Sequence, residues 1–222
     1  MEPQRADLLV VSAFGPELAP LRSAFGASMM GRVGDLFVIA RPVGIGLVHA
    51  AIGAAEEIAQ TQPRFVVLLG TCGAYAARSI FIDDVVIADR VMLVEPSALM
   101  GASEFPEVIS TMLRTDGAIC EGLTISGARG VGVATTLAVT VDDGTAAQIA
   151  RATGAHVEHL EAHAVATACA LRGLAFSAVL GVANIVGAQA REQWRANHRS
   201  ASDAAARHLL RWLELGARGA PR

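Results

Sequence analysis

Short apolar runs rich in β-branched residues recur along this chain, each closing on glycine or a small polar residue. Residues 8–13, 34–41, 64–69, 84–89, 129–134 and 175–182 read in this way as strands, with a further short one at 123–126. Several of these runs are apolar at consecutive positions, as in Val66-Val-Leu-Leu69, so neither face of such a strand can meet water. Residues 16–25, 47–60, 108–121, 144–153 and 191–215 carry the spacing of helices. Strands that alternate with helices and are apolar on both faces predict an α/β fold, an open and mostly parallel sheet covered on both sides. Ligands of such sheets bind beyond the carboxyl ends of the strands. That rule selects Phe14 to Glu17, Gly70 to Gly73, the residues after Ala134, and Ala183-Asn184 as candidate site residues.

Composition removes several function classes. The chain has 18% charged residues and a net charge of −3, without the basic stripe of a nucleic-acid binder. It contains no lysine, which excludes a Schiff-base lysine, a pyridoxal-phosphate anchor and a Walker-type phosphate loop. Cys72, Cys120 and Cys169 are odd in number and far apart, so no disulfide framework is expected. The first residues lack a cationic leader with an apolar core, and no apolar run is long enough to span a bilayer. A soluble, cytoplasmic protein that meets neither membrane nor nucleic acid is the expectation. There is no internal repeat or linker, so residues 1–222 are read as one domain. Residues 93–107, with two prolines and few charges, read as a loop that covers something or meets a partner chain.

The densest cluster of chemistry is His156-Val-Glu-His-Leu-Glu-Ala-His163, which leads into an apolar helix. Polar side chains at the head of such a helix are costly to bury without a partner or a task. His159 and His163, at i and i+4, could share a metal if both lay on one helix, though the residue after His159 is not the glutamate of the zinc-protease pattern. Alternatively, Glu158 and Glu161 could hold a polyhydroxylated ligand. Each remaining candidate also has an ordinary reading. Glu17 suits a helix N-terminus, Gly70-Thr71-Cys72-Gly73 could be only a tight turn, Asn184 could be a turn former, and Gly44-Ile-Gly46 lacks the third glycine of a dinucleotide fingerprint.

In order and spacing these pieces resemble the nucleoside phosphorylase and nucleosidase superfamily, which includes purine nucleoside and uridine phosphorylases, methylthioadenosine nucleosidase and futalosine hydrolase. The resemblance rests on Val11-Val-Ser-Ala-Phe-Gly-Pro-Glu17-Leu, Val43-Gly-Ile-Gly46, Val66-Val-Leu-Leu-Gly-Thr-Cys-Gly-Ala74, Asp83-Asp-Val-Val-Ile87 and Val157-Glu-His-Leu-Glu161-Ala. It implies a three-layer αβα sandwich around a mixed, mostly parallel sheet that partly curls into a barrel. It also implies a homo-oligomer that cleaves the N-glycosidic bond of a nucleoside with water or phosphate as co-substrate, without metal or cofactor. Glu17 then stands where hydrolytic members activate water. Thr71, with Gly70, Cys72 and Gly73, falls beside the nucleophile. Glu161 grips the ribose, Leu160 lies under it, Glu158 and His159 are secondary ribose contacts, and Asn184 meets the imidazole side of a purine.

Two departures from the family pattern refine the expectation. Leu68 occupies the position where nearer phosphorylases carry a phosphate-binding arginine, which favours water as nucleophile; Arg41 or Arg78 would have to substitute. Asn184 replaces the aspartic acid of adenine-specific members. An amide cannot give up a proton, but it can donate a hydrogen bond to a 6-oxo group and accept one from an adjacent N–H. A 6-oxopurine nucleoside, futalosine- or inosine-like, is therefore expected. Ala183-Asn-Ile-Val-Gly187 with Trp194 downstream also resembles the futalosine hydrolase branch, although Gly181 replaces an arginine common elsewhere. A phosphorylase and a non-catalytic nucleoside sensor are the alternatives.

Overall fold

The apolar runs pair into a single nine-stranded mixed sheet in a computed structural model that describes residues 5–124 and 127–221. The strands are β1 (Leu8–Ser12), β2 (Met30–Val33), β3 (Leu36–Pro42), β4 (Phe65–Ala74), β5 (Val85–Leu93), β6 (Met112–Arg114), β7 (Arg129–Thr135), β8 (Val157–Glu158) and β9 (Ala175–Ile185). The helices are α1 (Gly15–Leu18), α2 (Arg22–Phe25), α3 (Leu47–Thr61), α4 (Pro96–Leu99), α5 (Gly117–Thr124), α6 (Asp143–Thr153), α7 (Ala162–Ala170) and α8 (Ala190–Glu214).

Strands β3, β1, β4 and β9 run parallel to one another, as do β5, β7 and β8. Antiparallel pairs β5–β9 and β4–β8 join the two groups, and β2 and β6 attach antiparallel at the edges. The circuit β4–β8–β7–β5–β9–β4 closes on itself, so half the sheet curls into a barrel. Alternate residues of the long strands feed opposite layers. Leu9, Val11, Val66 and Leu68 pack with α3 and α7, while Leu8, Val10, Val67 and Leu69 pack with α1, α2, α5 and α8. The expected three-layer αβα sandwich around a mixed sheet is therefore the architecture observed.

Several local expectations fail for identifiable reasons. Residues 108–121 do not form one helix. The chain first adds β6 to the edge of β5, and Asp116 then opens α5 by accepting from the N–H groups of Ala118 and Ile119. Leu123 and Thr124 end α5 rather than start a strand, and residues 125 and 126 of that expected strand lie outside the described residues. The helix read over 16–25 is broken by a 3₁₀ turn, Ala19–Leu21, around Pro20. Strand β2 is an addition that the apolar pattern does not announce. Most consequential, Gly70, Thr71, Cys72 and Gly73 are not a turn: they lie inside β4, which continues to Ala74. Two strands hold that stretch extended, β9 along its whole length and β8 at Gly73 and Ala74.

Candidate active site

The ends of β1, β4, β8 and β9 and the start of α8 surround a cavity of about 410 Å³. Its wall includes Glu17, Thr71, Cys72, Gly73, Glu158, His159, Leu160, Glu161 and Asn184, residues that the sequence selects from four separate segments.

Glu17 reaches the cavity because β1 ends at Ser12 and Gly15-Pro16 turns the chain at once into α1. Its carboxylate is buried and receives three donors. Thr71 gives Oε1 its backbone N–H at 2.9 Å and its hydroxyl at 2.7 Å, and Ser12 Oγ donates to Oε2 at 2.8 Å. Burial pushes the Glu17 carboxyl above its ordinary range, against the opposing pull of His159, Thr71 and Ser12. Trp194, from the first turns of α8, donates its indole N–H to Thr71 Oγ1 at 3.1 Å. It stacks on His198 at 4.5 Å between ring centroids and meets Phe14 at 6.3 Å.

Asn184 is placed by an irregularity in β9. Register along β4 runs Cys72 to Val182 and then Gly73 to Asn184, so Ala183 is skipped and Asn184 stands opposite Gly73. Such a bulge re-aims the side chain that follows it. Gly73 leaves the amide its room, because a Cβ would stand 2.7 Å from Asn184 Nδ2. The amide N–H of Asn184 donates to the Ile185 carbonyl at 3.1 Å.

Glu158 and Glu161 separate into different tasks. Both oxygens of Glu158 are engaged by protein donors: Thr140 N–H at 3.0 Å, Thr140 Oγ1 at 2.7 Å and the Tyr75 hydroxyl at 3.0 Å. Glu158 therefore straps the segment between β7 and α6 to the sheet while still bordering the cavity. Burial raises its carboxyl, and these three bonds oppose the rise. Glu161 Oε1 accepts the Gly46 N–H at 2.7 Å, at the very start of α3, where the helix dipole favours a negative charge. Burial raises its carboxyl too. Gly44-Ile-Gly46 is thus the seat of Glu161.

The two histidines do not share a helix face, because α7 begins only at Ala162. His163 donates Nε2–H to the Ser110 carbonyl at 2.9 Å, whereas His159 is buried between Glu17 and Glu161. No group of three or more metal-binding side chains forms among the described residues. Leu68 is buried in the core. Arg41 reaches toward Glu57, and Arg78 bonds the carbonyls of Ala155 and Ala150, so neither lines the cavity. The cations that do are Arg191 and Arg195, whose signal in the sequence was only their i, i+4 spacing around Trp194. Cys72 is no ready nucleophile, since burial and the Glu17 carboxylate push its thiol up.

A part-closed mixed sheet between helical layers, with a carboxylate-lined cavity at its strand ends, defines the class of α/β protein to which this chain belongs. The chain belongs to the Phosphorylase superfamily, whose family model matches residues 7–214. No curated protein sequence matches it. Among solved structures it is similar in fold to a mutant of Helicobacter pylori methylthioadenosine nucleosidase with 5′-methylthioadenosine in its active site. That match has a TM-score of 0.85 and 16% identity over 95% of this chain and 99% of the other. The Colwellia psychrerythraea methylthioadenosine/S-adenosylhomocysteine nucleosidase, in complex with adenine, gives 0.85 and 19% identity over 100% and 99% of the two chains. Native futalosine hydrolase of Helicobacter pylori gives 0.82 and 15% identity over 95% and 97%. Among the described residues no helix is long and apolar enough to cross a membrane.

Proposed function

We propose that this chain hydrolyses the N-glycosidic bond of a nucleoside whose base is a 6-oxopurine, futalosine- or inosine-like. The observation that carries the reading is the placement of two buried carboxylates with separate supports, Glu17 on Thr71 and Ser12 and Glu161 on Gly46, in one cavity with Asn184. Glu17, its proton affinity raised by burial, takes a proton from water as that water adds to the anomeric carbon. Glu161 accepts hydrogen bonds from the ribose hydroxyls, and the two negative charges favour the positive charge that develops on the sugar. Leu160 supplies the apolar floor. Asn184 has no proton to give, so the base departs as an anion held by the amide N–H and is protonated afterwards. The nucleosidases and the futalosine hydrolase among the structural neighbours support this reaction class.

Phosphorolysis is the second reading. Arg191 and Arg195 favour it, since they line the cavity with side chains that make no hydrogen bond or ion pair among the described residues and could hold a phosphate. Incubation with inosine, adenosine and futalosine, with and without phosphate, separates the two. Free base released without phosphate supports hydrolysis, release only with phosphate supports phosphorolysis, and no release overturns both in favour of a nucleoside sensor. We further propose one domain and a homo-oligomer that uses residues 93–107 at a subunit contact, where Met100 and the adjoining Val108 are exposed. Sedimentation tests the oligomer.

A further inference from the structure

His159 has no part in the proposed reaction, yet its side chain borders both of the carboxylates to which that reaction is assigned. It is only 4% exposed, and its backbone N–H is tied to the Ala134 carbonyl at 2.9 Å, so the imidazole has little room to move. On one side Nδ1 accepts the Glu161 backbone N–H at 3.1 Å and lies 3.2 Å from Glu161 Oε2. On the other side Nε2 faces Glu17 across Gly70. A Cβ at Gly70 would stand 3.1 Å from Nε2 and 3.2 Å from Glu17 Oε2, so the missing side chain leaves the gap between them open. Burial holds the imidazole neutral, with its pKa lowered to about 4. A neutral ring carries one proton, and with Nδ1 acting as acceptor that proton is on Nε2, on the side of the ring that borders Gly70 and Glu17.

We propose that His159 is a positioning residue that couples the ribose clamp to the general base: the backbone N–H of Glu161 fixes the imidazole tautomer, and the imidazole N–H in turn favours the ionised form of Glu17. This rests on the reading of Glu17 as the base. Glu17 Oε2 has Ser12 Oγ as its one donor among the described residues, against two on Oε1, which leaves Oε2 the oxygen that an additional N–H can serve. The other groups around this pair do not replace His159. From β4 the Cys72 thiol faces Glu17, held protonated by burial. On the segment of His159 itself, Glu158 is tied to Thr140 and Tyr75. From α8 come Arg191 and Arg195, on the cavity wall.

The test is the titration of Glu17, read by carbon NMR of a glutamate-labelled chain with the resonance assigned by E17Q. It compares the natural protein with H159L, H159Q and G70A. Removal of a donor from the ionised form raises a carboxylate pKa, so in H159L the midpoint should move up by about one unit. The acid limb of kcat/KM should move with it, lowering activity about tenfold on the acid side. The glutamine amide can reach the place of Nε2, so H159Q should return both most of the way. G70A, which inserts a methyl into the gap, should behave like H159L. An unmoved Glu17 midpoint in folded H159L or G70A, or an H159Q no different from H159L, overturns the proposal. If H159L does not fold, the comparison of H159Q with G70A decides in its place. The titration needs no substrate. A natural protein that releases no base from any nucleoside therefore refutes the hydrolytic reading, while the midpoint still decides the role of His159.

Discussion

Replacing Tyr75 by Phe removes a single oxygen from the strap that holds Glu158. Tyr75 is 1% exposed, and Phe keeps the ring and every apolar contact, so no cavity larger than a hydroxyl is left. What disappears is the 3.0 Å bond to Glu158 Oε2, a hydrogen bond to a buried carboxylate. Bonds to charged groups contribute about 1.5–3 kcal/mol. Because Thr140 still supplies two donors, the loss should fall in the lower part of that range, about 1.5–2 kcal/mol. For a chain of this size that is a fall in Tm of roughly 3–8 °C. The sign with pH also follows. Burial raises the folded-state pKa of Glu158 above its value in the unfolded chain, so this residue's contribution to stability is complete below the unfolded value and is lost as pH rises through the folded one. Y75F removes a donor to the ion and raises the folded value further. The deficit should therefore be largest at pH 8 and narrow as the pH falls. Thermal and urea unfolding at pH 8, repeated in a Glu158→Leu background, measure it. In that background the Tyr-to-Phe change should cost little, giving a coupling of about 1 kcal/mol or more. A Y75F protein as stable as the natural one, or equally destabilised with and without Glu158, would refute the reasoning. If Glu158 is a strap and not a ribose contact, KM should also stay nearly constant in Y75F.

Three more outcomes follow from the same geometry. E17Q should lose roughly 10²–10⁴ in kcat/KM, as expected for removal of a general base. Its stability should be less pH-dependent than that of the natural protein, since a carboxylate raised by burial costs stability as pH climbs through its folded-state pKa; unfolding from pH 5 to 8 reads this. G73A should fold, but its methyl would crowd Asn184 Nδ2 at 2.7 Å and Val186 Cγ2 at 2.9 Å, so KM for the preferred nucleoside should rise about tenfold, the loss of roughly one hydrogen bond. N184D supplies a proton donor, and its preference for adenosine over inosine should rise at least ~10-fold; an unchanged ratio of kcat/KM would show that Asn184 does not read the base.

The local sequence determined a good deal. Runs apolar at consecutive positions forced strands buried on both faces, and helices between them forced parallel crossovers, so the layered sheet was legible without any contact being known. The same rule pointed to the strand ends that bear Glu17, Thr71 and Asn184, and these meet in one cavity with Glu161 from the polar cluster at 156–163. Tertiary structure decided what each residue can do there. Gly70 to Gly73 looks like a turn because glycine lacks strand propensity, but pairing with β8 and β9 keeps it extended. The one-residue bulge that aims Asn184 has no local signature. Glu158 and Glu161 are near-equivalent in sequence, and only their distant partners, Thr140 and Tyr75 for one and Gly46 for the other, tell them apart. Propensity and patterning are properties of neighbours along the chain. Hydrogen-bond partners and burial, which set the charge and reach of a carboxylate, come from residues many positions away, as with Glu17 and Thr71.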